Sequence, residues 1–316
     1  MYRKFFGLVK KPFELIPDPH MLFLSETHKE ALAILKYGVV SDKSFLLLTG
    51  GVGTGKTTLI ESLAASLKKP SRLCILSNPA LDRQEFFYFL ASQLRLPYDG
   101  NKAKFMLYMA KLLELCREKN EKVLLIIDEA HVIPVDLLEE IRLLSNQVGK
   151  SQNVMSIFLI GQPELLKRLS AERLLPLKQR IGIRSHIGPF TAEETKQYIH
   201  FRLKKAGAAR PSIFAAEAMP LIHSMTEGNP RLINILCDHC LLTGYSAGQT
   251  TINKSMVHEC GNELNVPGEA MTYKLPDTNQ AQKKKREESG TQEKSGSGRL
   301  SGLKWWKRNN KEQAND

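Results

Sequence analysis

Long apolar runs are missing from this chain of 316 residues. No stretch approaches the ~18 consecutive apolar residues that cross a bilayer. The start, MYRKFFGLVKKPFELIPDP, is basic, but the ~7–15 apolar residues of a secretory signal do not follow it. These two absences lead us to expect a cytoplasmic protein, at most peripheral to an inner membrane. Cysteine is scarce too. Five cysteines, an odd number, do not make a disulfide framework, in keeping with a reducing compartment. No internal repeat is visible. What is present, 42% hydrophobic and 25% charged residues, fits a soluble globular protein and excludes collagen-like, coiled-coil and wholly disordered classes. The length allows about two domains, or one with a tail.

Acidic residues are in the minority. Lys and Arg number 45 against 33 Asp and Glu, a net charge of +12. From Thr272 onward there are 11 Lys/Arg and 6 Asp/Glu, so that stretch holds +5 and the body +7. Such a balance suits nucleotide phosphates, nucleic acid or anionic lipid, and it also suits a protein that is merely basic.

Residues 1–40 form an N-terminal arm broken by Pro12, Pro17 and Pro19, with a helix expected from Glu26 to Tyr37. Residues 41–190 alternate short apolar runs with longer amphipathic segments. The runs Phe45–Thr49, Leu73–Leu76, Val123–Ile127, Ile157–Ile160 and Ile183–Ile187 suit strands buried on both faces of a parallel sheet. Helices are expected over Lys56–Leu67, Asp82–Leu94, Ala103–Lys119 and Val135–Val148, with Asp82 and Glu85 placed as a capping box. This order predicts an α/β layer structure, a parallel sheet flanked by helices. Residues 191–266 read as a small all-helical domain with helices over Thr191–Lys204, Ser212–Met225, Pro230–Tyr245 and Asn253–Leu264. Residues 267–316 lose apolar periodicity and read as a disordered basic tail.

Gly50-Gly51-Val52-Gly53-Thr54-Gly55-Lys56-Thr57, with Thr58 after it, matches G-x-x-x-x-G-K-[ST] after a strand and at the opening of a helix. The glycines let successive N–H groups turn inward toward phosphate oxygens, and the helix N-terminus adds partial positive charge. Lys56 is expected at the β- and γ-phosphates and the Thr57 hydroxyl at Mg²⁺. Val123–Ile127 ends in Asp128 and Glu129. In a phosphate-loop protein Asp128 at such a strand tip holds Mg²⁺, and Glu129 polarises the attacking water as a general base. His131 completes the string Asp-Glu-Ala-His and reads as a neighbour of this pair.

With these motifs the sequence resembles the AAA+ ATPases, and among them the general secretion pathway protein A type, with its relatives from exosortase and pilus loci. The likeness is carried by Met1-Tyr2, Phe6-Gly7-Leu8, Pro12-Phe13, Pro17-Asp18-Pro19 and Leu24-Ser25-x-x-His28-x-Glu30-Ala31-Leu32. It continues through Ile160-Gly161-Gln162-Pro163-Glu164-Leu165, Gln179-Arg180-Ile181 and Gly228-Asn229-Pro230-Arg231, covering about residues 1–265. The resemblance implies an AAA+ core followed by a helical lid, with ATP and Mg²⁺ as ligands. It implies a sensor at Gln162, on the tip of a strand lying between the two motif strands. It implies an arginine acting in trans in a homo-oligomer, for which Arg180 is the candidate and Arg184 and Arg173 are alternatives. It also implies a second sensor, Arg231, at the start of a lid helix, and an adenine pocket lined by Phe13–Asp18 and the lid.

Two features are weaker. Cys237-x-x-Cys240 has the spacing of half a zinc site but no second pair, so buried cysteines acting as small apolar residues are the expectation; Phe86, Phe87 and Phe89 likewise read as packing. In the tail, Lys283–Arg286 and Leu303-Lys304-Trp305-Trp306-Lys307-Arg308 would suit an anionic membrane surface, a nucleic acid or a partner protein. Relatives of the secretion type often continue into a membrane span and a peptidoglycan-binding domain, and neither is seen in this sequence, so direct peptidoglycan contact is not expected.

Three functions remain open on the sequence. The first is an ATPase that energises or regulates an envelope secretion or exopolysaccharide-export system, working with an apparatus protein at the inner membrane. The second is an ATP-dependent DNA-binding switch resembling origin-recognition or transposition ATPases, against which no helix-turn-helix segment has room after residue 265. The third is a nucleotide-binding scaffold without turnover, which the Asp128-Glu129 pair argues against.

Overall fold

Alternate residues of three strands face two different cores. Phe45 and Leu47, Val123, Leu125 and Ile127, and Ile157 and Leu159 enter one apolar cluster, whereas Leu46 and Leu48, Leu124 and Ile126, and Phe158 and Ile160 enter another. This two-residue period, apolar on both sides, requires a sheet covered on both faces. The computed structural model describes residues 2–41, 43–67, 71–145, 154–209 and 211–265 and contains that sheet. Its strands are β1 (Phe45–Gly50), β2 (Ser71–Leu76), β3 (Lys122–Ile127), β4 (Met155–Gly161) and β5 (Ile181–Ile187). They are parallel in the order β2-β3-β4-β1-β5. The chain leaves β1 for the far edge, returns strand by strand to β4 and then crosses to β5, so the connections diverge beside β1. Ligands of open parallel sheets bind at such a point, off the carboxyl ends of the strands.

Helix α1 (Tyr2–Phe5) opens the chain, and α2 (Glu26–Val40) and α3 (Lys56–Ser66) cover the face carrying Leu48 and Phe158. Helices α4 (Arg83–Leu94), α5 (Lys102–Glu118), α6 (Val135–Leu144), α7 (Glu164–Leu169) and α8 (Leu175–Arg180) cover the other. Asp82 and Glu85 form the expected capping box at the start of α4. Phe86 and Phe87 are fully buried beneath it, with Phe89 packed beside them.

Helices α9 (Ala192–Lys205), α10 (Ala218–Thr226), α11 (Pro230–Ser246) and α12 (Lys254–Glu263) share a third apolar cluster. Tyr2, Phe6, Leu8 and Phe13 belong to that cluster as well, whereas α2 lies on the sheet. The segment before β1 is therefore shared between the helical cluster and the sheet. The Arg202 guanidinium fixes it, donating from Nε to the Pro12 carbonyl and from Nη2 to the Glu14 carbonyl at 3.0 Å.

The structure corrects several sequence expectations. α10 begins at Ala218, not Ser212: Pro211–Ile213 form a separate 3-10 turn, and Ala215 N–H donates to Ile252 O and Ile252 N–H to Ile213 O, which bridges Phe214 to Ile252. The later start also puts Pro220 in the first turn, where its missing N–H costs nothing, rather than in a helix interior. β5 is an edge strand with exposed Arg184 and His186, not a run buried on both faces. The short helices α7 and α8 were not anticipated. α6 ends at Leu144, and the expected end at Val148 lies outside the described residues, as do the tail and its Trp pair. Among the described residues no helix is long and apolar enough to cross a membrane. Cys237, Cys240 and Cys260 are fully buried in the helical cluster, and the described residues include no group of three or more His, Cys, Asp or Glu arranged to hold a metal.

Candidate nucleotide site

A cavity of about 320 Å³ opens off the carboxyl ends of β1, β3 and β4, walled by the phosphate loop, residues 14–18 of the arm, and α9 and α11. The loop is built for close approach. Gly53 and Gly55 have φ of 77° and 93°, which non-glycine residues seldom adopt. A Cβ on Gly53 would come within 2.6 Å of both the Arg231 Cβ and the Asn229 Oδ1. Gly55, at the cap position of α3, has no side chain to satisfy the first-turn amides, so these are left for phosphate oxygens.

Lys56 is buried, and its ammonium donates to the carbonyls of Gly50 at 2.9 Å and Gly51 at 2.8 Å. Burial lowers its pKa, against the opposing pull of Glu129 and Asp128. The Thr57 hydroxyl donates to Asp128 Oδ2 at 2.7 Å. Asp128 is buried, anchored by its own N–H on Leu76 O and by the Glu129 N–H on its Oδ1 at 2.9 Å. This hydroxyl–carboxylate pair beside a phosphate loop is a hard oxygen donor set, and it fits Mg²⁺. Glu129 is half-exposed and lines the cavity, as does Gln162 at the end of β4, the strand between β1 and β3. Thr54, Thr58, Val52 and Arg231 also line it.

Not every expected residue is there. Phe13 is buried against Phe214, with ring centroids 6.1 Å apart, and the arm's cavity wall begins at Glu14. Arg180 ends α8 away from the cavity, donating to Ser145 Oγ at 2.7 Å. Arg184 donates to the Lys178 carbonyl at 3.3 Å, and Arg173 pairs with Asp136.

Three residues make contacts beyond those expected. The buried His28 imidazole meets Thr54 O at 2.9 Å through Nε2 and Ser25 Oγ at 2.7 Å through Nδ1. A carbonyl only accepts, so Nε2 carries the proton and Nδ1 accepts from the serine. Burial lowers the His28 pKa, outweighing the Thr54 carbonyl and Glu194, which act the other way. From the helical side, Asn229 caps α11 with its oxygen and donates its amide to Val52 O at 2.7 Å. His131 sits between Glu129 and Gln162. An Asn just before Pro230 does signal a helix cap; nothing local signals that the same side chain reaches the phosphate loop.

Residues 39–169 match the family model of the AAA domain. That segment belongs to the AAA domain family. Over 255 residues, 80% of this chain and 46% of the relative, it is 38% identical to general secretion pathway protein A of Aeromonas hydrophila. It thus spans about half the length of that relative. The AAA+ fold is also shared with the solved ORC2 protein of Aeropyrum pernix (16% identity, TM-score 0.61, 80% of this chain and 71% of that one). The same holds for the RuvB Holliday junction branch migration motor of Thermotoga maritima (20% identity, TM-score 0.51, 79% and 72%). In AAA+ terms β1 and its loop carry the Walker A motif, β3 the Walker B motif and α9–α12 the lid.

Proposed function

We propose that this AAA+ protein binds ATP with Mg²⁺ in the cavity between core, arm and lid, hydrolyses it, and uses the nucleotide state to drive or regulate assembly of an envelope secretion or export apparatus. The observation that carries the enzymatic part is the 2.7 Å hydrogen bond from Thr57 to Asp128, which joins the two phosphate motifs across β1 and β3 with Glu129 alongside. The similarity to general secretion pathway protein A supports the secretory setting.

Each residue then has a role. The loop amides and Lys56 neutralise the β- and γ-phosphates. When bound, Mg²⁺, held by Thr57 and Asp128, would supply positive charge at the phosphate oxygens. Glu129 takes a proton from a water aimed in line at the γ-phosphorus; the water oxygen bonds to phosphorus as the bond to the ADP oxygen breaks. Gln162 donates to the γ-phosphate. Arg231 reaches the phosphates from the lid, so nucleotide state moves the lid against the core. Arg180 is exposed on α8, where it can stabilise the γ-phosphoryl charge in the site of a neighbouring subunit.

Glu129→Gln tests the assignment. It keeps the size and hydrogen bonding of the side chain and removes the base, so ATP binding is retained and turnover falls about 10²–10⁴-fold. Unchanged turnover would sink the role of Glu129.

A further inference from the structure

His131 has no part in the roles above, yet its surroundings hold it firmly. β3 ends at Ile127, and Glu129 turns the chain with φ 51° into a short 3-10 turn over Ala130–Val132. Ala130 and Ile133 bury this turn in the core under the sheet. The Arg168 guanidinium, reaching from α7, donates to the carbonyls of His131 and Ile133. β4 presses on the turn from the side: a Cβ on Gly161 would approach the His131 amide nitrogen to 3.2 Å.

The imidazole so placed spans two residues that the proposed mechanism uses. Its Nδ1 lies 3.3 Å from Glu129 Oε2, and its Nε2 lies 2.9 Å from the Gln162 amide nitrogen. An amide nitrogen only donates, so Nε2 accepts and Nδ1 carries the proton that faces the carboxylate. A neutral imidazole satisfies these two side-chain contacts in this one tautomer, at the expense of the longer approach of the Gln162 backbone N–H to Nδ1 at 3.5 Å. Turning the Gln162 amide over would instead put the Nδ1 lone pair against Glu129.

We propose that His131 is a positioning residue that ties the Glu129 carboxylate to Gln162. The proposal rests on the reading that Glu129 activates water and Gln162 contacts the γ-phosphate. The His131 N–H holds Oε2, leaving Oε1 of Glu129 for the water. The second amide hydrogen of Gln162 remains for a phosphate oxygen. The group that senses the γ-phosphate and the group that activates the water are thereby joined through one ring, and the base is aimed when the sensor is engaged. A glutamate side chain has several rotatable bonds and is half-exposed here. A misplacement of about 1 Å at such a group can cost about 10²-fold in rate.

Steady-state ATP turnover and affinity for a fluorescent ATP analogue, measured on the full chain, test this. His131→Ala is expected to lower kcat about 10–100-fold, with nucleotide affinity within about twofold of the parent. His131→Phe keeps ring bulk without a donor and is expected to fall equally. His131→Asn places a donor near the Nδ1 position and is expected to recover part of the loss. In a double-mutant cycle, His131→Ala added to Gln162→Ala costs less than it does alone, because the chain is already cut. Turnover of His131→Ala or His131→Phe within about twofold of the parent, a loss in His131→Asn as deep as in His131→Phe, or multiplicative effects in the cycle would each overturn the tether. Glu129→Gln is run alongside: if it keeps turnover, the assignment of the base has failed, and with it the ground for any tether.

Discussion

Lys56 and His28 are both buried, and their pKa values are lowered for the same reason, loss of water around the charged form. They differ in what phosphate offers them. The Lys56 ammonium is held by the carbonyls of Gly50 and Gly51, and a nucleotide presents stronger, anionic acceptors at the same place. Lys56→Ala is therefore expected to abolish measurable ATP binding and turnover while the chain stays folded, read by nucleotide titration and circular dichroism. Burial disfavours the charged form of His28, whose Nε2–H holds Thr54 O. The unfolded chain takes up a proton at this imidazole near its ordinary value of 6.5, which the folded chain resists. The contribution of His28 to stability is thus full above about pH 6.5 and is lost as pH falls below it. His28→Gln keeps a donor for Thr54 without an ionisable ring. Its melting temperature should decline less between pH 7 and pH 5 than that of the parent; equal slopes would refute the assignment. The residues proposed for phosphate and metal can be picked out in the sequence because Gly50–Thr57 and Asp128-Glu129 are contiguous. His28, His131 and Asn229 act through contacts 26, 31 and 177 residues away, and no local pattern announces them.

Among elements, β1, β3 and β4 were readable as continuous apolar runs because both faces are covered. β5 was misjudged because an edge strand is half wet. α7 and α8 have six residues each, too few to show a helical period. The span expected as one helix from Ser212 is interrupted by the bridge between Phe214 and Ile252, a pairing set by tertiary contact rather than by propensity. Element packing also makes a prediction. Phe158 on β4 is fully buried, and Gly38 of α2 packs so closely that a Cβ there would lie 3.0 Å from the Phe158 ring. Phe158→Ala removes the ring from beneath α2 and should cost about 3–5 kcal/mol of stability, measured by denaturant unfolding. A loss below ~1 kcal/mol would mean that α2 is not seated on the sheet as described.

Across the whole molecule, the cavity joins three parts of the chain. The core supplies the phosphate loop and Glu129, the arm supplies residues 14–18, and the lid supplies Arg231 and Asn234. Asn229 hydrogen-bonds the loop directly, and Arg202 secures the arm to α9, so a nucleotide bound there meets all three. The cation proposed to act in trans, Arg180, lies elsewhere on the surface, engaged with the end of α6 through Ser145. The central claim is that Glu129 of one subunit and Arg180 of its neighbour complete one hydrolytic site. The most direct measurement mixes two variants, Glu129→Gln and Arg180→Ala, and follows ATP turnover per subunit as protein concentration rises. Each variant alone should bind ATP and turn over very slowly. In the mixture, sites that pair an intact Glu129 with an intact Arg180 form between unlike subunits, so turnover should reappear and grow with concentration. A mixture as inactive as its components, although both bind ATP and assemble with each other, would contradict the account.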